Sequence, residues 1–306
     1  MSRIFDALQR SGTEQSGIEY PDMISVATAV FEAPTQEPTP SPIVEEQAPS
    51  IAPLWEQHSV APELTEEPSR RNLVFPSMQV CPTTSSRLVF FTQPESLAAE
   101  KLRFLGVRLR QMRQTRPLKK VLITSTIPEE GKSLISVNLA GVLARRNERV
   151  LLIEGDLRRP VLAQQLGLGR LSGLAEWLQS GLETPSNIYH LGEPGFWIMP
   201  AGDPPANPLE LMQSARLSTL VGQLANLFDW IIVDSPPLLP LADTIVWSRL
   251  TDGTLLVTRQ GKTEKKPLQR GLEMIKKSDL LGVVLNSCTN PEHDNYYQRY
   301  SPPRTK

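Results

Sequence analysis

Cysteine and histidine are scarce in this 306-residue chain. The two cysteines, Cys81 and Cys288, lie far apart in sequence, which argues against a disulfide framework and fits a reducing compartment. His58, His190 and His293 have no Cys or His companions at metal-ligand spacing, so a zinc site is not expected. Net charge is formally -1, which gives no bulk attraction to nucleic acid or anionic lipid. No apolar run approaches the ~18 residues of a membrane span. The N-terminus lacks the basic region and apolar stretch of a signal peptide. A cytoplasmic protein is expected, with any membrane contact made through a partner and no nucleic-acid ligand.

Proline, by contrast, is abundant and unevenly placed. Between Phe31 and Pro82 it recurs at positions 34, 38, 40, 42, 49, 53, 62, 68, 76 and 82, with Glu, Ser and Thr between. Each proline fixes φ and removes a backbone donor, and the stretch has no sustained period of 2 or 3.6. Residues 13–87 therefore read as a disordered acidic linker. Before it, residues 1–12 hold a short helix candidate that Ser2 can cap, with Ile4, Phe5 and Leu8 on one face.

From Leu88 the pattern changes. Ser96 to Met112 predicts a helix, with Leu97, Leu102, Leu105 and Leu109 as its apolar stripe. Val121 to Thr124, Val150 to Ile153, Phe196 to Met199, Trp230 to Val233, Gly253 to Val257 and Leu281 to Leu285 are short apolar runs without alternation. Helical stretches, Leu134 to Arg146 and Leu217 to Leu227 among them, fall between. Such a series predicts an α/β fold with a mostly parallel sheet covered on both faces, over residues 88–290. Residues 291–306 form a tail.

The chemistry gathers where those strands end. The first strand runs into Thr126-Ile127-Pro128-Glu129-Glu130-Gly131-Lys132-Ser133-Leu134, the spacing of a P-loop with Thr126 in place of its first glycine. A loop leading into a helix start aims backbone N–H groups at phosphate. Lys132 would meet the β- and γ-phosphates of ATP and Ser133 would ligate Mg²⁺. Glu129 and Glu130 fit such a loop only if they point away from phosphate. The second strand ends in Glu154-Gly155-Asp156-Leu157-Arg158-Arg159, where two carboxylates reach the mouth of the sheet. They can support Mg²⁺ or accept a proton, or simply pair with Arg158 and Arg159. Asp234, closing Trp230-Ile231-Ile232-Val233, has the form of a Walker B acid. Asp229, Asp243 and Asp252 read as turn or capping acids, and Asn286 stands where an amide could read a base edge. Three of the five tyrosines, Tyr296, Tyr297 and Tyr300, cluster in the tail. They read as phosphate acceptors, or as aromatic anchors for a partner.

Taken together, Ile123-Thr124-Ser125, the loop 128–133, Asn138-Leu139-Ala140, Asp156 to Pro160, Pro200-Ala201-Gly202 with Asn207-Pro208, and Phe228 to Pro237 resemble the bacterial tyrosine kinases (BY-kinases) of capsule and exopolysaccharide systems, in their separate cytoplasmic form. The opening Met1 to Leu8 is similar as well. The resemblance implies a SIMIBI-type P-loop fold related to the MinD/ParA ATPases. It implies ATP·Mg²⁺-dependent autophosphorylation of a tyrosine-bearing tail, often within a ring of subunits, and activation by a membrane polysaccharide co-polymerase. Lys132 and Ser133 would hold phosphate and metal, and Asp156 and Asp234 would support Mg²⁺. Glu154 stands where the family has an aspartate acting as base. The sequence departs from the family at four places: Glu154 is one methylene longer, Leu134 replaces a threonine, Glu129 replaces a glycine, and the oligomerisation motif keeps Glu100 and Arg103 but has Gly106 last. Two further readings are an ATP-binding regulator that has lost catalysis, and a MinD/ParA-like positioning ATPase. The second is disfavoured, because Thr126 and Ile127 stand where that group carries an extra lysine.

Overall fold

The computed structural model describes residues 75–80, 88–193, 195–239 and 241–287. The predicted N-terminal helix and the tyrosines at 296, 297 and 300 lie outside the described residues, as does most of the linker. The strands are β1 (Ser77–Met78), β2 (Lys120–Ser125), β3 (Val150–Glu154), β4 (Tyr189–Leu191), β5 (Phe196–Met199), β6 (Trp230–Asp234), β7 (Gly253–Arg259) and β8 (Leu280–Asn286). The helices are α1 (Val89–Thr92), α2 (Leu97–Thr115), α3 (Lys132–Ala144), α4 (Leu162–Gln165), α5 (Leu174–Gln179), α6 (Pro208–Met212), α7 (Ala215–Leu227), α8 (Asp243–Leu250) and α9 (Lys265–Met274).

The strands form one sheet in the order β1-β4-β5-β3-β6-β2-β7-β8. All pairings are parallel except that of β4 with β5. The six apolar runs singled out in sequence are all strands. For the strands inside the sheet, the lack of alternation has its cause in the two layers that cover them; edge strand β8 is only half-buried. Val121 and Ile123 of β2 face a core built with α1, α2 and α3. Leu122, between them, faces a second core with α5, α6, α7 and Trp247 of α8. Both faces being dry, every position must be apolar.

Helix α2 begins where Ser96 Oγ accepts the Ala99 N–H at 3.2 Å, an N-cap of the usual kind. Helix α3 is sandwiched between the sheet and α1–α2, and eleven of its residues are buried. Its polar Asn138 is satisfied inside: Oδ1 accepts the Phe90 N–H at 3.2 Å and Nδ2 donates to Leu134 O at 2.8 Å. This fixes α1 onto the helix that starts at the phosphate-binding loop.

Residues 75–80, assigned from their prolines to the linker, contribute the edge strand β1. His190 N donates to Pro76 O at 2.8 Å and Gly192 N to Met78 O at 3.1 Å. Phe75 stacks on Phe228 with ring centroids 6.1 Å apart, and Met78 and Val80 pack on the core. Pro76 is tolerated because it sits on a sheet edge. Phe75→Ala is expected to destabilise the protein by about 1–3 kcal/mol, below the range for a wholly buried phenylalanine, read as a lower urea midpoint.

Candidate active site

The carboxyl ends of β2, β3, β6 and β7 converge, and register fixes what meets there. Ile123 of β2 and Glu154 of β3 both pair with Asp234 of β6. The β2–α3 connection arches over this edge. Gly131 caps α3 with φ 97°, a left-handed conformation in which glycine carries no steric penalty. A Cβ there would also lie 2.1 Å from Asn286 Nδ2. Lys132 and Ser133 open the helix.

The Lys132 ammonium lies 3.2 Å from Ser133 Oγ, 3.5 Å from Asp156 Oδ2 and 3.7 Å from Asp234 Oδ2. Two carboxylates and a hydroxyl thus converge on one cation. Asp234 is fully buried. Its Oδ1 lies 3.1 Å from Ser136 Oγ, while Oδ2 has no hydrogen bond among the described residues. Burial pushes the Asp234 carboxyl above its ordinary range, and the Lys132 charge and the hydroxyls of Ser133 and Ser136 oppose that shift. A buried acceptor left unmade is costly, so the site favours a hydrated cation or a phosphate-bound one beside Oδ2. The donors are all oxygen, the chemistry Mg²⁺ takes when it keeps several waters and one or two carboxylates. The residues present therefore fit ATP·Mg²⁺. Ser136, missed in sequence, follows Lys132 and Ser133 by one helical turn, which puts it on the same face.

The two glutamates of the loop separate. Glu129 (φ 63°) projects outward with its side chain 81% exposed and pairs with Lys262 at 2.6 Å. That pair holds its carboxyl below the usual range. Glu130 turns inward and is fully buried, so neither acid points at the phosphate position. Thr126 is fully buried, its hydroxyl without a partner among the described residues. Pro128 lies in the arch, and Leu134 is in the first turn of α3.

Glu154 is also buried, at 1% exposure. Oε1 accepts the Val161 and Leu162 N–H groups at 2.5 and 2.6 Å, and Oε2 accepts that of Ala201 at 3.0 Å. Its extra methylene lets it tie the start of α4 and the loop after β5 to the end of β3. Burial raises its carboxyl while these three bonds oppose the shift. Asp156 is slightly open, at 6%, and its Oδ1 accepts the Arg159 N–H at 3.1 Å. Neither acid pairs with an arginine side chain, as one expectation had it. Arg158 instead holds the buried Asp243 through two bonds of 2.6 and 3.1 Å, so Asp243 is more than a cap. Asp229 and Asp252 are turn acids as expected, accepting backbone N–H groups of Arg149, and of Lys119 and Lys120.

Asn286, expected near a base edge, donates Nδ2 to Glu130 O at 2.9 Å and accepts the Ser287 N–H on Oδ1 at 2.8 Å. In this structure its amide is tied to the phosphate-binding loop. Glu100 and Arg103 pair with each other along α2 at 2.6 Å.

Fold and loop define a P-loop nucleotide-binding protein. The sequence matches the CobQ/CobB/MinD/ParA nucleotide binding domain over residues 121–301. It is 33% identical over 211 residues to tyrosine-protein kinase YwqD of Bacillus subtilis (strain 168), covering 68% of this chain and 89% of YwqD. It is 34% identical over 194 residues to tyrosine-protein kinase ptk of Acinetobacter johnsonii, covering 63% of this chain but 26% of that longer protein. The kinase domain of Escherichia coli tyrosine kinase ETK superposes with a TM-score of 0.61 at 28% identity, covering 66% of this chain and 82% of that one. Within the nucleotide-binding family, this chain belongs to the bacterial tyrosine kinases.

Gly131→Ala tests the loop geometry. It forces a side chain into positive φ and against Asn286, and is expected to weaken ATP binding at least about tenfold, or ~1.4 kcal/mol, by titration calorimetry.

Proposed function

We propose that the chain is an ATP-dependent protein-tyrosine kinase that phosphorylates its own tail at Tyr296, Tyr297 and Tyr300, in the control of exopolysaccharide or capsule synthesis and export. The observation that carries this reading is the Lys132 ammonium set among Ser133, Asp156 and Asp234 at the mouth of a P-loop. The names of the relatives as tyrosine-protein kinases support it. So does the clustering of three of five tyrosines near the C-terminus.

In this reading the backbone N–H groups of residues 129–133, at the turn into α3, and the Lys132 ammonium cradle the phosphates. Ser133, Asp156 and Asp234 would hold Mg²⁺, directly or through water. Mg²⁺, when bound, draws negative charge off the β- and γ-phosphate oxygens. Lys132 supplies the protein's own share of that charge compensation, in a site dry enough for it to count. The tyrosyl oxygen attacks the γ-phosphorus of ATP, the bond to the bridging oxygen breaks, and the phenolic proton passes to a carboxylate at the strand ends. The protein works in the cytoplasm, with a membrane polysaccharide co-polymerase as its activating partner. Assembly into a homo-oligomer would use the α2 face around Glu100 and Arg103. Among the described residues no helix is long and apolar enough to cross a membrane.

Incubation with ATP·Mg²⁺ and the activating partner should give phosphotyrosine with the wild-type protein. Lys132→Ala and the triple Tyr296/Tyr297/Tyr300→Phe variant should each lose it. Wild-type protein that binds ATP yet shows no phosphotyrosine would sink the kinase reading.

One observation favours a second reading, an ATP-binding regulatory subunit without catalysis. Glu154, at the position of the family's base, spends both oxygens on backbone N–H groups. A regulator without catalysis would give no phosphotyrosine with either residue at 154; in an active kinase, Glu154→Asp reports what the longer side chain does. Aspartate is too short to keep all three bonds, so the melting temperature should fall by an amount matching about 1 kcal/mol per lost bond. Phosphorylation should slow as the turn loosens. A faster enzyme would show instead that side-chain length at 154 limits proton removal.

A further inference from the structure

The buried Glu130 has no part in phosphate chemistry as the loop is usually read, yet it is the most heavily tied residue of the arch. Its Oε2 accepts the Ile127 N–H at 2.8 Å, bracing the arch across its own width. Its Oε1 accepts the hydroxyl of Thr263, in the loop between β7 and α9. Thr263 Oγ1 in turn accepts the Arg259 N–H at 2.9 Å, where β7 ends. The Glu130 carbonyl accepts Asn286 Nδ2, where β8 ends. A chain of hydrogen bonds thus runs from the sheet, through one hydroxyl and one carboxylate, to the inner side of the phosphate-binding loop.

The arch needs such a frame. Glu129 and Gly131, on either side of Glu130, have φ of 63° and 97°. Alternating hand at neighbouring residues is how a chain forms an anion-binding concavity. For a non-glycine residue such a conformation is strained, and it persists only where the surroundings over-determine it. The Lys262–Glu129 ion pair is largely exposed on the glutamate side, where such pairs contribute little. The Glu130–Thr263 link, buried at its glutamate end, is better positioned to hold the arch. Helix α9 closes on the same loop: a Cβ on Gly271 would lie 3.1 Å from Thr126 Oγ1.

We propose that Glu130 is a positioning residue that, through Thr263, holds the P-loop in its phosphate-accepting shape in advance of nucleotide. The proposal rests on the nucleotide-binding reading of the loop and adds to it the β7–α9 connection as the frame. Preorganisation of this kind acts on affinity, because a slack loop must be ordered by the ligand itself.

The test uses the full chain and ATP·Mg²⁺. Glu130→Ala should weaken ATP binding about tenfold by calorimetry, the loss of one to two hydrogen bonds. Thr263→Val, which keeps the shape and removes the hydroxyl, should weaken it several-fold. Glu130→Gln can still accept from Ile127 and reach Thr263, and should rescue most of the affinity. The Glu130→Ala/Thr263→Val double variant should bind no more weakly than Glu130→Ala alone, since both break one chain. In Thr263→Val, KM for ATP should rise while kcat at saturating ATP is retained, a split that mere loss of folded protein would not produce. If wild-type protein fails to bind ATP, the nucleotide reading falls with the proposal. If wild type binds and Glu130→Ala and Thr263→Val bind equally well, the proposal alone is overturned. Should Glu130→Ala fail to fold, Thr263→Val and Glu130→Gln decide the matter on the same terms.

Discussion

Three charges share one dry corner of this molecule, and the arrangement of everything around them follows from that. Lys132 stands between Asp156 and Asp234 at the carboxyl ends of β3 and β6. A lone carboxylate as buried as Asp234 would be expensive, and burial accordingly raises its pKa. The lysine offsets that cost only if the loop that carries it is pinned at the edge of the sheet. Parallel strands supply the edge, because all their carboxyl ends face the same way. The order β3-β6-β2-β7 places the P-loop strand between the strand of Asp234 and the strand that frames the loop.

The site is therefore built from behind as much as from the front. Facing the ligand position are Lys132, Ser133, Asp156 and Asp234. Behind them, three buried acids are spent on holding the surrounding loops. Glu130 holds the P-loop, Glu154 holds the turn after β3, and Asp243 holds Arg158 in that same turn. Trp247 adds a fourth tie, donating its indole N–H to Gly155 O at 3.1 Å. Carboxylates suit this work, because each oxygen can accept more than one N–H and the bonds are charge-assisted.

This division explains what could be read in advance. Six of the eight strands and the longest helices were legible because strands inside the sheet, buried on both faces, leave an unbroken apolar run, and because a helix against the core shows its stripe. The P-loop and Asp234 were legible because phosphate chemistry fixes both residue type and spacing. Residues such as Ser136 and Thr263 carry no such signature: each matters through a partner distant in sequence or around a helical turn. Strand β1 was hidden by its neighbours. Proline-rich flanks dominate the composition of residues 31–82, and the two-residue strand depends on Phe75 finding Phe228, a contact no local pattern announces. Short strand β4 failed to show for a similar reason, since its antiparallel pairing with β5 covers only three residues.

Glu154 shows how a conservative replacement can change a residue's task. Aspartate at the end of β3 would reach toward the mouth of the sheet. Glutamate, with one more methylene, turns back far enough to meet the N–H groups of Val161, Leu162 and Ala201 at once. The two outcomes compete for the same side chain, because an oxygen that already accepts two N–H bonds is a weak acceptor for a tyrosyl proton. Whatever removes that proton in this chain must either break the Glu154 contacts during the reaction or lie elsewhere on the strand ends. The second course requires less reorganisation at the moment of transfer, which is the condition under which electrostatic sites work best.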